Sequence, residues 1–225
     1  MFIGGFLPCE SHFFIMSLIK QLSSQTGDRT EASNRRVVVQ CLDDSELLRE
    51  IAGGLHSQDK RLVADCAEVM TQVAEYHPEW VAPFAGELAV LLNHLHTRVR
   101  WEAMHALALV VEFTPLTIET LLPKLTEMLQ TDKSVIVRDY ATDAIACYGS
   151  TGTSAAEAAF PLLVDMLTLW NGKQAAHALQ GMLYIAEQLP EKLPELQQVA
   201  EEYSHAEKSV VRKAAKKLLH SLVIK

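Results

Sequence analysis

The chain is poor in glycine (10 of 225 residues), proline (8) and aromatic residues (7%). It is also short of positive charge, with 20 Lys+Arg against 28 Asp+Glu and a net charge of −8. So little glycine and proline excludes collagen-like and low-complexity chains. The deficit of cations argues against broad nucleic-acid binding, which draws its affinity from Lys and Arg replacing counterions on phosphates. Four cysteines stand at 9, 41, 66 and 147 with no C-x-x-C among them, so no disulfide framework is expected. Reduced thiols and a cytoplasmic setting follow, with Cys66 and Cys147 as small buried hydrophobes in helical patterns. An apolar run of about 20 residues, as a membrane helix needs, is missing, and no membrane association is expected. The opening segment MFIGGFLPCESHFFIM is apolar, yet it holds no Lys or Arg and is interrupted by Pro8, Glu10, Ser11 and His12, unlike a secretory leader. Because MSLIKQL, from Met16, reads like an ordinary amino terminus, residues 1–15 are expected to precede the natural start.

Signatures of chemistry are equally sparse. Gly149-Ser150-Thr151-Gly152 lacks the Lys-Ser/Thr that completes a phosphate-binding loop and reads as a turn. His94-Leu95-His96 is the one close histidine pair, and alternate residues on a helix point about 200° apart, so one ion could reach both only in a turn. No third ligand stands nearby. The expectation is therefore no metal, no cofactor, no catalytic residues and no enzyme. Strand patterns are nearly absent too: the run 36–42 is short and can equally end a helix.

What the sequence does contain is repetition. Val99-Arg100-Trp101-Glu102-Ala103 returns as Val137-Arg138-Asp139-Tyr140-Ala141 and as Val211-Arg212-Lys213-Ala214-Ala215, with a weaker version at Arg61-Leu62-Val63-Ala64. The basic residues fall at 61, 100, 138 and 212, and the last gap is twice 37, so one copy lies hidden. Gly172-Lys173-Gln174-Ala175-Ala176 supplies it, with Lys173 in the Arg place. Ahead of each segment runs a leucine-rich helical stripe, such as Leu121, Leu122, Leu125, Met128 and Leu129. His77-Pro78, Thr114-Pro115, residues 149–152 and Leu189-Pro190 separate the units, and Ser154-x-x-Glu157 reads as a capping box opening the fourth. Five helical hairpins result, at approximately 45–78, 79–115, 116–152, 153–190 and 191–225. Residues 1–44 precede them as an extension, partly flexible or one extra helix, because SSQTGDRTEASNRR has the composition of a loose lead-in.

Helix pairs of this length, with Pro83, Pro123, Pro161 and Pro194 in or near the first helices and V-R-x-x-A opening the second, resemble HEAT repeats over residues 45–225. The resemblance implies an all-α, right-handed α-solenoid of about five HEAT-like helical hairpins, akin to armadillo-type arrays. Asp132 with Val137-Arg138 resembles the family's aspartate-to-arginine signature, whereas the corresponding places hold His94 and Ala206 in the second and fifth units. An incomplete Asp–Arg ladder is thus expected. Among HEAT-like enzymes, the deoxyhypusine hydroxylases use His-Glu dipeptides, of which this chain has none. The alkylpurine DNA glycosylases use aromatic residues and an aspartate on a basic surface; Trp101, Arg138 and Trp170 fit loosely, but His105 stands where that aspartate would be. Phycobilin lyases share the scaffold, and nothing marks a pigment site.

In HEAT-like arrays the second helices line the concave side. Alignment on the basic residue puts Trp101, Asp139, Gln174 and Lys213 in one column and Met104, Thr142, His177 and Lys216 in another, with His105 and Asp143 one turn on. The candidate partner-binding groove is therefore Trp101, Met104, His105, Asp139, Asp143, Gln174 and His177, with Trp101 as the strongest anchor. The expected function is a non-catalytic protein-binding adaptor or scaffold; the alternative is a nucleic-acid-acting protein resembling the glycosylases. Residues 43–80 carry nine acidic and three basic side chains, and residues 191–225 five and seven. A protein partner that is basic toward the amino-terminal repeats is expected.

Overall fold

The computed structural model describes residues 17–223, and the expectation about the natural start lies outside them. Every element is helical. Three short helices come first: α1 (Leu18–Gln21), α2 (Ser23–Thr26) and α3 (Ala32–Asp43). The pairs that follow are α4 (Leu48–Gly54) with α5 (Lys60–Ala74), and α6 (Pro78–Val81) and α7 (Ala85–Leu91) with α8 (Thr97–Val110). Next come α9 (Pro115–Thr131) with α10 (Val135–Gly149), then α11 (Thr153–Met166), the four-residue turn α12 (Leu169–Gly172) and α13 (Ala175–Gln188). The last pair is α14 (Leu193–Tyr203) with α15 (Ser209–Val223). The second helices α5, α8, α10, α13 and α15 stack side by side as one layer, each also packed on its own first helix. The fold is an α-solenoid, as the repetition implied.

The core follows one rule. Leu62, Val99, Val137, Gln174 and Val211 occupy the same place in the five second helices, 37 or 38 residues apart. From each, the residues at +4 and +7 point to the first-helix layer: Cys66 and Val69, Ala103 and Ala106, Ala141 and Ala144, Ala178 and Gly181, Ala215 and Leu218. All of these are buried. Small residues dominate because the two layers approach closely. A Cβ on Gly181 of α13 would stand 3.2 Å from the Leu163 Cδ1 of α11, and one on Gly149 of α10 would stand 3.1 Å from the Ala159 Cβ of α11. No single hairpin could enclose this surface, so stacking carries the stability.

The arginine of the V-R segment has a structural reason. Arg100 donates to the carbonyls of His94 (2.9 Å) and Leu95 (3.1 Å), and Arg212 to those of Ala206 (2.7 Å) and Glu207 (3.1 Å). Arg138 does the same to the Asp132 carbonyl. Each guanidinium thus ties the turn of its own hairpin, satisfying carbonyls that the first helix leaves unpaired. Arg100 also reaches the next unit through a bidentate pair with Asp132, at 2.8 and 3.2 Å. The fourth unit has Ala175 in this place. Its turn is closed instead by three successive left-handed residues, Trp170 (φ 53°), Asn171 (φ 57°) and Gly172 (φ 62°).

Four expectations need correction. Arg61 is not a copy of the repeated arginine, because Leu62 holds the position of Val99 and Val63 therefore stands in the Arg place. Lys173 does not stand in the Arg place: α13 starts one turn late, with Gln174 in the position of Val99, so the hidden repeat is shifted by two residues. Ser154 and Glu157 make no capping box, because Gly152 precedes the first helical residue and no side chain caps α11. Finally, the polar stretch 23–36 is not a loose lead-in. Leu18, Leu22, Val37, Val38 and Cys41 are buried, and α3 packs along α5. Ser23 and Ser24 donate backbone N–H groups to Asn34 Oδ1 (2.8 Å) and Asp65 Oδ2 (2.7 Å), while Asn34 Nδ2 donates to Glu68 Oε2 (2.8 Å). The stretch is polar because it mates with a charged surface of the first repeat.

Candidate binding face

Helical geometry turns one side of each second helix away from the first-helix layer. Counting from Val99, Val137, Gln174 and Val211, the positions at +2, +3 and +6 turn away from the first-helix layer. They hold Trp101, Glu102 and His105 on α8, Asp139, Tyr140 and Asp143 on α10, Ala176, His177 and Gln180 on α13, and Lys213, Ala214 and Lys217 on α15. On α5 the matching Asp65 and Glu68 are covered by the amino-terminal helices. The face is therefore acidic and aromatic across α8 and α10, mixed on α13 and basic at α15.

Of the expected groove residues, the structure brings Asp139, Asp143, Gln174 and His177 into one network. His177 Nδ1 pairs with Asp143 Oδ1 at 2.7 Å, and its Nε2 lies 3.9 Å from Asp139 Oδ1. Gln174 Nε2 donates to Asp139 Oδ1 at 2.9 Å, and its Oε1 accepts from Arg138 Nε at 3.4 Å. The hydrogen bond to Asp143 raises the His177 pKa despite partial burial. His105 lies 3.9 Å from Tyr140, ring to ring and almost parallel, and burial lowers its pKa. Trp101 is half-buried, with its indole N–H donated to Glu102 Oε1 at 2.8 Å.

Two expected residues are not on the face. Met104 is fully buried because the +5 position points at the next helix in the stack, where Thr142 is buried as well. The corresponding Lys216 lies on α15, the last described helix, and is exposed. Gln174 is fully buried for the reason given by the register shift: it fills a core position and uses its amide to hold Arg138 and Asp139.

Glu102 was not singled out by the sequence, and the structure makes it the most perturbed acid on the face. Burial raises its pKa to about 7, with the Glu68 charge adding to the shift and the Trp101 and Arg98 interactions opposing it. Arg98, one turn before, pairs with Asp65 at 3.1 Å and with Glu68. The Arg98–Glu102 spacing of four residues on one side of a helix was the available signal. Chemically the face offers carboxylates, imidazoles and aromatic rings, with the amines of Lys213 and Lys217 at its α15 end. The Cys147 thiol beside it is held up at about 11, chiefly by burial. Among the described residues no group of three or more His, Cys, Asp or Glu is placed to hold a metal ion, and no helix is long and apolar enough to cross a membrane.

No family model matches the chain, and no curated protein is significantly similar to it. Solved structures resemble its fold. A designed armadillo repeat protein in complex with the peptide (KR)4 superposes with a TM-score of 0.70 at 18% identity, covering 91% of this chain and 98% of that one. An engineered protein gives 0.71 at 20% identity, covering 92% and 98%. The archaeal HEAT-like repeats protein of Thermococcus onnurineus NA1 gives 0.51 at 14% identity, covering 86% and 93%. The repeat fold is thus of the HEAT/armadillo type.

Proposed function

We propose that the chain is a non-catalytic binding scaffold that holds an extended, basic segment of a partner protein across the open face of α8, α10 and α13. The observation that carries this reading is the charge of the face. Glu102, Asp139 and Asp143 stand there among Trp101, His105, Tyr140 and His177, while the cations of the same helices are already engaged: Arg98 and Arg100 in ion pairs, Arg138 buried. Aromatic rings beside carboxylates suit Lys and Arg side chains, which gain from both. The designed neighbour captured with a Lys-Arg peptide supports the same use of this fold. In the first repeat Asp65 and Glu68 lie beneath α2 and α3, while Glu75, just past α5, is exposed and acts on His105 and Tyr140. The contact therefore centres on the second to fourth hairpins, with the end of α5 at its edge. The three described cysteines, all free, support a reducing cytoplasmic setting. An acidic face also disfavours the alternative action on nucleic acid.

Titration of the protein with an alternating Lys-Arg octapeptide, and with a Lys-Glu octapeptide as control, tests the reading. Selective binding that weakens steeply between 50 mM and 500 mM salt is expected. Equal affinity for both peptides, or a shift of duplex DNA at 50 mM salt without peptide binding, would overturn it.

A further inference from the structure

We propose that Glu102, flanked by Trp101 and Tyr140, is the socket for one cationic side chain of the partner, and that the incoming cation replaces a proton on the Glu102 carboxyl. This rests on the basic partner proposed above and adds what its binding does.

Acidic and basic groups are unequal in number around Glu102. Three carboxyl groups, Asp65 and Glu68 of α5 and Glu102 of α8, gather around a single guanidinium, that of Arg98. Arg98 is spent on the first two. Glu68 further accepts from Asn34 Nδ2 and Gln72 Nε2, each at 2.8 Å. Glu102 has the neutral Trp101 indole N–H as its hydrogen-bond donor. The remaining groups facing it offer no second cation. Glu31 at the start of α3 is acidic, and the charges around the adjoining Tyr140 ring, Asp143, Glu75 and Asp139, are acidic as well. Tyr140 feels the Glu102 charge directly, and His105, stacked on that ring, is biased toward its neutral form by burial. Burial in a negative surrounding favours the protonated carboxyl, in keeping with its pKa of about 7.

A Lys or Arg side chain laid over Trp101 would supply the missing charge. The carboxyl then ionises against it and its proton leaves to solvent, so one positive charge enters as another departs. Binding of the partner is thereby coupled to pH in the physiological range, with affinity rising as pH rises.

Calorimetric titration of the full chain with the Lys-Arg octapeptide, in buffers of small and large ionisation enthalpy, counts the protons released. More than half a proton per complex is expected at pH 6.5 and almost none at pH 8.5, with affinity rising about tenfold from pH 6 to 8. Glu102→Gln should still bind, with no pH dependence from this group and no proton release beyond that of the histidines. His177→Asn should keep the wild-type release, and thermal melting of both variants confirms folding. Unchanged release in Glu102→Gln, or none in the wild type at pH 6.5, would overturn the socket while leaving the scaffold intact. No peptide binding at any pH would overturn both.

Discussion

Consecutive hairpins solve the same problem with different chemistry at two junctions. Between the second and third, Arg100 extends from its own turn to a bidentate carboxylate, Asp132, at 2.8 and 3.2 Å. Between the third and fourth, Arg138 occupies the equivalent place, is almost completely buried, and meets no carboxylate of the next unit. The Trp170 ring lies 4.0 Å from its guanidinium carbon instead, held by an indole N–H donated to the Leu129 carbonyl at 2.7 Å. Presenting that ring takes a left-handed turn at Trp170 and Asn171, a conformation that disfavours bulky residues. The comparison teaches that the arginine tie is kept within the second, third and fifth hairpins, whereas the link to the next hairpin is free to vary.

The largest expected effect is at the aromatic junction. Trp170→Ala removes the ring, its hydrogen bond and the cover over a buried guanidinium, and should cost about 3 kcal/mol or more in urea unfolding. A loss below 1 kcal/mol would mean that the ring is not the link. Next comes Asp132→Ala, at about 2 kcal/mol, because it strands a mostly buried Arg100. Asp132 also makes this junction acid-sensitive. Burial pushes its pKa up, but bonds from Arg100 and the Ser134 N–H together with both arginine charges pull it further down, so the net shift is downward. A folded pKa below the unfolded one stabilises above the ordinary carboxylate value, and that stability is lost as pH falls through the folded value. Urea series at pH 7 and pH 3 should show this loss in the wild type and less of it in Asp132→Asn.

A smaller effect is expected at Gly172, where φ is 62° and a Cβ would stand 2.9 Å from the Leu167 carbonyl oxygen. Gly172→Ala should cost about 1–2 kcal/mol, and a neutral result would show that the left-handed turn relaxes freely. The smallest belongs to Arg212, whose hydrogen bonds among the described residues stay within its own turn. Arg212→Gln should cost about 1 kcal/mol, less than Arg100→Gln in parallel melts. Equal losses would erase the distinction between ties within and between hairpins.

The sequence made the solenoid legible because the 37-residue period acts through buried apolar positions, which tolerate little change. It misled where a side chain imitated a signal. Lys173 looked like the repeated arginine, but the left-handed turn delays α13, and the true equivalent is Ala175. That slip placed Gln174 on the face. Met104 failed for a different reason: the spacing showed that it leaves the first-helix layer, but not that the next helix covers it. The acidic cluster at Arg98 was hidden because it assembles across α3, α5 and α8, whose mutual contacts no local pattern records. For the same reason the stretch 23–36 looked loose although its polar groups were matched to Asp65 and Glu68.

Hydrogen–deuterium exchange with and without the Lys-Arg octapeptide tests the central claim most directly. The account predicts slowed exchange in 98–112, 135–149 and 175–188, with little change in α9 and α11. Protection confined to the first-helix layer, or to the hairpin turns at one rim, would contradict it.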